Sequence, residues 1–447
     1  MNKLNRPLSG WGRYPVETCA SERPERYQDL RASSPTQIAR GQGRSYGDAA
    51  LGETVILTER VNRMLAFDVV AGTLRAEAGV TLAEILDVIV PQGWFLPVTP
   101  GTRFVSLGGC VAADVHGKNH HHDGAFGQHV IDIELILANN SRVTCSATEN
   151  ADLFWATVGG MGLTGIIGEV SLRLIPISSP YMQVRHHAAA NLTATFALFE
   201  NAALDDAYSV AWIDCLATGE SLGRSVLMTG HHAAVVDLPN TLQSAVKIKP
   251  AKSMPFDLPA AALNPLTVKL FNQFYYTREG RKTQPFFAHY TDYFYPLDGI
   301  SHWNRLYGKS GFVQYQCVIP TAGAFGAVTA LLEKLAVSRR PSFLAVLKKL
   351  GAQDQGMLSF PLAGYTLALD IPMRDAGVLA LTRELDAIVL AHGGRVYLAK
   401  DAVLNAQTFR IMYPRHAEWL RVKQLVDPHG RFASSLSKRL NLGAQHG

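Results

Sequence analysis

Two glycine-rich stretches near the N-terminus limit what this chain can fold into more than any other feature. They are Ala39-Arg-Gly-Gln-Gly-Arg-Ser-Tyr-Gly-Asp-Ala49 and Pro100-Gly-Thr-Arg-Phe-Val-Ser-Leu-Gly-Gly-Cys-Val-Ala-Ala-Asp-Val-His-Gly-Lys-Asn119. Glycine at this density tolerates positive φ and lets backbone N–H groups approach an anion closely, which suits a loop wrapped around phosphates. Neither stretch ends in the Gly-Lys-Ser/Thr of a Walker loop, and neither carries the Gly-x-Gly-x-x-Gly of a Rossmann turn. The pattern points to a diphosphate cofactor held by two separated loops.

The 447 residues are 47% hydrophobic and 18% charged, enough for two or three domains with a large core. Five scattered cysteines, an odd number with no Cys-x-x-Cys pair, argue against a disulfide framework or structural zinc and fit a reducing cytoplasm. No apolar run approaches the roughly eighteen residues of a membrane span, and the N-terminus lacks an apolar signal core. The run Asn119-His120-His121-His122-Asp123 is not read as a metal site, because adjacent histidines point in different directions on regular backbone.

Strands are expected at 54–58, 74–78, 312–319 and 365–371, and at 131–137 and 168–175, which alternate as strands covered on one face. Helices are expected at 81–90, with Thr81 and Glu84 at capping-box spacing, and at 152–158, 322–336, 377–392 and around Trp419. The fold class is therefore α+β. The domain limits expected are 1–178, a second domain on an antiparallel sheet over 179–392, and a C-terminal piece over 393–447 that returns to the first. Within 245–282, seven basic residues face two acidic ones, a net +5 that equals the excess of the whole chain. Four prolines (Pro250, Pro255, Pro259, Pro265) make regular structure unexpected there, so the segment reads as a mobile basic loop. Its interleaved Phe, Tyr and Leu suit an anionic bilayer surface or an amphiphilic substrate. No recognition motif accompanies the basic charge, so nucleic acid is not an expected partner.

The runs Gln42-Gly-Arg-Ser-Tyr-Gly-Asp48, Pro100-Gly-Thr102, Asp114-Val-His-Gly-Lys-Asn-His120, Phe154-Trp-Ala-Thr-Val-Gly-Gly160, Phe312-Val-Gln-Tyr-Gln316, Tyr397-Leu-Ala-Lys-Asp401 and Met412-Tyr-Pro-Arg415 follow one another in register. Together they resemble the vanillyl-alcohol-oxidase-type flavoproteins, and among them the branch acting on polyprenyl-phosphoryl pentoses. The resemblance implies a two-part FAD-binding domain with an inserted substrate domain. It places FAD against Ala39, Arg40, Gly41, Gln42, Gly43, Arg44, Ser45, Tyr46, Gly47, Asp48 and Ala49. It adds Gly101, Ser106, Leu107, Gly108, Gly109, Ala113, Asp114, Val115, His116, Ile167 and Tyr397. Many relatives attach flavin through a histidine of the first glycine loop; Tyr46 stands there instead, so non-covalent FAD is expected.

For the reaction itself, a hydroxyl must be deprotonated or polarised while its carbon faces the flavin. Lys400 is the first choice for that role, either as an ammonium that stabilises developing negative charge or as a base with a lowered pKa. His116 and Tyr46 are the other catalytic candidates. Lys118, Gln314, Gln316, Lys348 and Lys400 are the candidates for binding sugar hydroxyls and phosphate. Ala368 stands where some relatives carry cysteine. The activity implied is oxidation of C2 of a polyprenyl-phosphoryl ribose, with a short-chain NAD(P)H-dependent reductase as partner and a cytoplasmic, peripherally membrane-bound location. A soluble alditol or aldonolactone oxidase and a non-catalytic flavin-binding partner of a reductase are the alternatives.

Overall fold

The computed structural model describes residues 3–201, 206–243, 252–259, 262–338, 340, 342 and 344–443. The first glycine loop leaves a small four-stranded sheet in which Thr54–Leu57 lies between Val16–Glu22 and Ile38–Arg40, parallel to both. Every residue of Thr54–Leu57 is buried, which is why it reads as an unbroken apolar run rather than an alternation. A five-stranded antiparallel sheet follows, in the order Met64–Asp68, Thr73–Glu77, Ile166–Arg173, Val130–Ile136, Arg142–Cys145. The helix Leu82–Ile89 packs on it through Leu82, Ile85, Leu86 and Ile89. Its capping box is formed: Glu84 N–H donates to Thr81 Oγ1, and Thr81 N–H donates to the Glu84 carboxylate.

The third sheet has eight strands, antiparallel throughout, in the order Phe286–His289, Tyr181–Ala189, Ser225–His232, Tyr208–Ile213, Ala345–Leu350, Gly364–Pro372, Phe312–Pro320, Arg395–Val396. One face packs under the helices Leu192–Glu200, Ala324–Ser338 and Gly377–Ala391. Tyr315, Cys317, Leu367 and Leu369 fill that side, while the intervening Gln314, Gln316 and Ala368 point to the other.

Beyond Arg395–Val396 the chain crosses to the N-terminal segments. Gln37 N–H donates to the Arg431 carbonyl, Ala433 N–H to that of Gln37, and Trp419 Nε1 to that of Ala156. The side chain of Lys423, fully buried, is neutralised by Asp427 and also donates to the Phe432 carbonyl. All five cysteines are buried free thiols. Among the described residues no helix is long and apolar enough to cross a membrane.

One expectation is corrected. Much of the supposed basic loop is a sixteen-residue helix, Pro265–Gly280. Pro265 occupies its first turn, where no N–H is required and the fixed φ is already helical. Asn264 closes a capping box with Thr267, accepting from its N–H at 3.0 Å and donating to its hydroxyl at 3.1 Å. Lys247, Lys249 and Pro250 lie outside the described residues.

Candidate active site

The two glycine loops and the inner face of the large sheet enclose one cavity of about 620 Å³. The first loop contributes Ala39, Gly41, Gln42, Gly43, Arg44, Ser45, Tyr46 and Ala49. The second contributes Gly101, Ser106, Gly108, Gly109, Ala113, Val115 and His116, and Ile167 and Tyr397 complete that side. Gly41 packs so tightly on the Ser106 side chain that any Cβ would collide with it, so the loops touch only because glycine is there. Gly43 sits at φ +59, and a side chain built on Gly101 would meet nothing within 4 Å. This end of the cavity is thus lined by backbone with open space in front of it, the cradle that a pyrophosphate needs.

Six residues expected at the cofactor or substrate do not line the cavity. Arg40 spends its guanidinium on the carbonyls of Ser9 and Ala50. Gly47 abuts the Asp401 carbonyl, and Asp48 is paired with Arg439 at 2.7 Å. Leu107 is fully buried in the core beneath the second loop. Asp114, at φ +41, accepts from Gly127 N–H and the Ser359 hydroxyl and so braces the turn. Lys118 lies with its Nζ 4.0 Å from the centroid of the Tyr293 ring and donates to the Tyr293 carbonyl. These residues hold the loops in place rather than face the cavity.

The opposite end is built from side chains. Gln314 and Gln316 on Phe312–Pro320, Lys348 on Ala345–Leu350, and Ala368 on Gly364–Pro372 project from adjacent strands into the cavity. The turn after Arg395–Val396, closed by Lys400 N–H to the Tyr397 carbonyl at 2.9 Å, brings Lys400 in beside them. Its Nζ lies 3.7 Å from the centroid of the Tyr46 ring. Tyr46 meets Phe312 edge-on at 5.5 Å, Phe312 stacks on Tyr307 at 4.0 Å, and Trp303 packs against both Phe312 and Trp11. This aromatic wall covers one side of the lysine.

Burial moves the titrations. Loss of water pushes Lys400 down to about 7, with Asp370 opposing the shift and Lys348 adding to it. Lys348 falls to about 8 and Lys118 to about 7, both mainly through burial. His116 is held well below its usual value by burial and then by the neighbouring Lys348 charge, so its imidazole is neutral. With Gln316 Nε2 donating to His116 Nε2 at 3.0 Å, the ring proton resides on Nδ1, a buried atom without a partner among the described residues. That orphaned donor and the glycine cradle fit a polar heterocyclic cofactor carrying a diphosphate. Tyr397 flanks the same ring, stacked on Phe360 at 4.6 Å with its hydroxyl donating to the Ala113 carbonyl at 2.8 Å.

Asp370 went unnoticed in the sequence, although a carboxylate inside the apolar strand Tyr365–Ile371 was a visible signal. It is fully buried and accepts from Gln314 Nε2 at 2.5 Å and the Tyr307 hydroxyl at 3.1 Å. Asp298, which accepts from Arg103 N–H at 2.9 Å and lines the cavity, carried no such signal. Among the described residues no group of three or more His, Cys, Asp or Glu is placed to hold a metal ion.

Residues 28–146 match the FAD binding domain family, and residues 368–440 match the D-arabinono-1,4-lactone oxidase family. The xylooligosaccharide oxidase of Myceliophthora thermophila, solved with xylobiose, superposes with a TM-score of 0.66 over 93% of this chain and 90% of that one, at 16% identity. Fold and site define an FAD-dependent oxidoreductase of the vanillyl-alcohol-oxidase type. An alditol oxidase from Streptomyces is 24% identical, with 83% of this chain and 82% of that protein aligned. Decaprenylphosphoryl-β-D-ribose oxidase from Mycolicibacterium smegmatis is 37% identical, and 97% of each chain is covered. The chain belongs to the decaprenylphosphoryl-β-D-ribose oxidase family.

Proposed function

We propose that this protein oxidises the C2 hydroxyl of a polyprenyl-phosphoryl-β-D-ribose to the 2-keto sugar, using non-covalently bound FAD. The observation that carries the reading is that Lys348, Lys400, Gln314 and Gln316 share one cavity with the two glycine loops. Gly43, Gly101, Ser106 and Gly109 would hold the pyrophosphate of FAD, with His116 and Tyr397 beside the flavin. When bound, FAD supplies the hydride acceptor.

The protein's part is binding, orientation and proton transfer. Gln316, fixed by its bonds to His116 and Thr366, and Gln314, fixed by Asp370, present amides to sugar hydroxyls. Lys348 faces the phosphoryl group as a positive charge. Lys400, neutral in an appreciable fraction of molecules near pH 7, takes the proton of the reacting hydroxyl onto Nζ. The aromatic rings of Tyr46 and Trp303 line the cavity beside this lysine, with Phe312 packed behind them.

In this reading a short-chain NAD(P)H-dependent reductase returns the ketone to the epimeric alcohol, so that the pair produces an arabinose donor. The protein works in the cytoplasm, peripherally at the inner membrane face where a polyprenyl substrate resides. Anaerobic mixing of the holoprotein with polyprenyl-phosphoryl ribose tests the assignment. Rapid bleaching of flavin absorbance by that compound, and not by free alditols, is expected. Bleaching by free alditols alone would replace the lipid-linked substrate with a soluble one, and no bleaching by either would remove the catalytic role.

A further inference from the structure

The helix Pro265–Gly280 buries a mixed stripe on one side and exposes an apolar row on the other. At 3.6 residues per turn, Val268, Asn272, Tyr275 and Glu279 form the side that packs on the large sheet. Asn272 donates to the buried Asp214 at 2.7 Å, and Tyr275 lies 4.8 Å from Trp212. The opposite side carries Leu266, Leu270 and Phe274 in a single row, 67%, 63% and 60% exposed. A helix packed through one stripe ordinarily turns polar residues outward. Three large apolar side chains at successive turns on the solvent pole form the kind of exposed apolar row that marks a contact surface.

Strand register places the helix relative to the cavity. Gln316 pairs with Ala368, Ala368 with Val346, Val346 with Trp212, Trp212 with Val226, and Val226 with Ala188. Direct partners share a face, so this row runs across one side of the sheet. Gln316, Ala368 and Val346 line the cavity at one end. Trp212 and Ala188 lie under Tyr275 and Gly280 at the other. Cavity and helix therefore stand side by side on the same face, and the exposed row points away from the sheet on the cavity's side. The chain leading to the helix starts at the cavity rim, where Lys252–Ser253 pairs with Ile300–Ser301, residues that line it.

We propose that this row is a lipid-docking ridge, and that its occupant is the surface of an anionic bilayer, into which Leu266, Leu270 and Phe274 insert while the helix lies in the interfacial plane. The charge around the ridge decides between occupants. Lys269, Arg278, Arg281 and Lys282 are exposed beside it, and the acidic Glu279 of this segment is buried and already paired with Arg278 and Lys282. A positive border complements anionic headgroups. A second copy of this chain would bring like charges together. The ridge would hold the cavity mouth near the bilayer that contains the substrate, a consequence that rests on the lipid-linked reading above; the ridge itself does not.

The test is flotation of the holoprotein with vesicles of phosphatidylcholine alone or of phosphatidylcholine with phosphatidylglycerol, with no substrate present. Binding to the anionic vesicles is expected, and the triple variant Leu266→Ser/Leu270→Ser/Phe274→Ser should lose roughly tenfold or more in partitioning, given the area withdrawn from lipid. Lys269→Glu/Arg281→Glu, which leaves the apolar row intact, should abolish the preference for phosphatidylglycerol. Flavin reduction by a water-soluble short-prenyl substrate should be unchanged in both variants, which separates loss of docking from loss of the site. Undiminished vesicle binding by the triple variant overturns the proposal, as does a wild-type protein that stays in the aqueous phase with both vesicle types. Concentration-dependent dimerisation that the triple variant abolishes also overturns it, assigning the row to a second copy. Each of these outcomes leaves the oxidation chemistry standing, because no substrate enters the flotation or dimerisation measurements.

Discussion

Lys400 Nζ rests 3.7 Å from the centroid of the Tyr46 ring, joining the last turn of the large sheet to the first glycine loop. The backbone repeats the connection, since Tyr46 N–H donates to the Ala399 carbonyl at 3.0 Å. The residue assigned to proton transfer is thereby positioned by the loop assigned to the cofactor, and neither can shift alone.

Lys400→Ala should leave FAD bound and slow flavin reduction by about 10²–10⁴-fold, the usual contribution of a positioned base. Lys400→Arg keeps the charge and cannot release it, so it should be slow at every pH. In the wild type the lysine is depressed to about 7, so the neutral amine accumulates as pH rises through that value. The reduction rate should therefore climb with pH across neutrality and then level off. Stopped-flow reduction over a pH series checks this, and a rate that falls with pH would make the ammonium the active form.

Arg439 donates to Asp48 at 2.7 Å and to Asp401 at 2.8 Å, tying the first glycine loop to the Lys400 turn. Both carboxylates are nearly inaccessible to water. Arg439→Met would strand two buried charges, and breaking such a pair costs about 3–5 kcal/mol. Chemical denaturation should show that loss, and FAD should dissociate more readily because the loop that carries Tyr46 and Gly43 is released. Wild-type stability in the variant would mean that the aspartates find other partners.

Local patterns carried much of the fold. The Thr81–Glu84 box, the alternation of Phe312–Ile319 and the buried run Thr54–Leu57 are each readable from a few consecutive residues, and the structure has them. The glycine loops were legible from their composition, whereas Gln314, Gln316, Lys348 and Lys400 stood out through the family resemblance of the segments that carry them. What was not legible depends on distant partners. The sequence cannot show that Arg439 meets Asp48, or that Lys118 turns toward Tyr293 rather than the cavity. The Pro265–Gly280 helix was hidden because it buries Asn272 and Glu279 while exposing Leu266, Leu270 and Phe274, which leaves no amphipathic signal, and because Pro265 reads as a breaker everywhere except the first turn.

Gly43 occupies the left-handed region at φ +59 with Arg40 packed behind it. Gly43→Ala should cost about 1–2 kcal/mol from the backbone alone, and the methyl group would displace the Arg40 guanidinium from its carbonyl partners. The variant is expected to purify with less flavin per protein and to bind added FAD more weakly, both measurable by absorbance and fluorescence quenching. Full flavin content would show that this loop does not shape the cofactor site.

Asp370 offers the sharpest test of how the site sets its own pH range. Its carboxylate accepts from Gln314 and Tyr307, and Ser342 Oγ accepts from its backbone N–H at 2.9 Å, so its position is over-determined. Burial raises it to about 6, which leaves it negative through the neutral range. That charge attracts the protonated form of Lys400 and so holds the lysine higher than burial alone would. Asp370→Asn preserves size and removes the charge, keeping one oxygen to accept from Gln314 while its NH2 group donates to the Tyr307 hydroxyl, which reverses its role. Lys400 should then lose its proton at lower pH, and the acid limb of the reduction profile should move toward lower pH, with the plateau reached earlier. The plateau rate itself should change little, since Asp370 acts through Lys400 and Gln314 rather than on the reacting atoms. A lowered plateau with an unmoved acid limb would assign Asp370 to structure alone and would show that its charge does not reach Lys400.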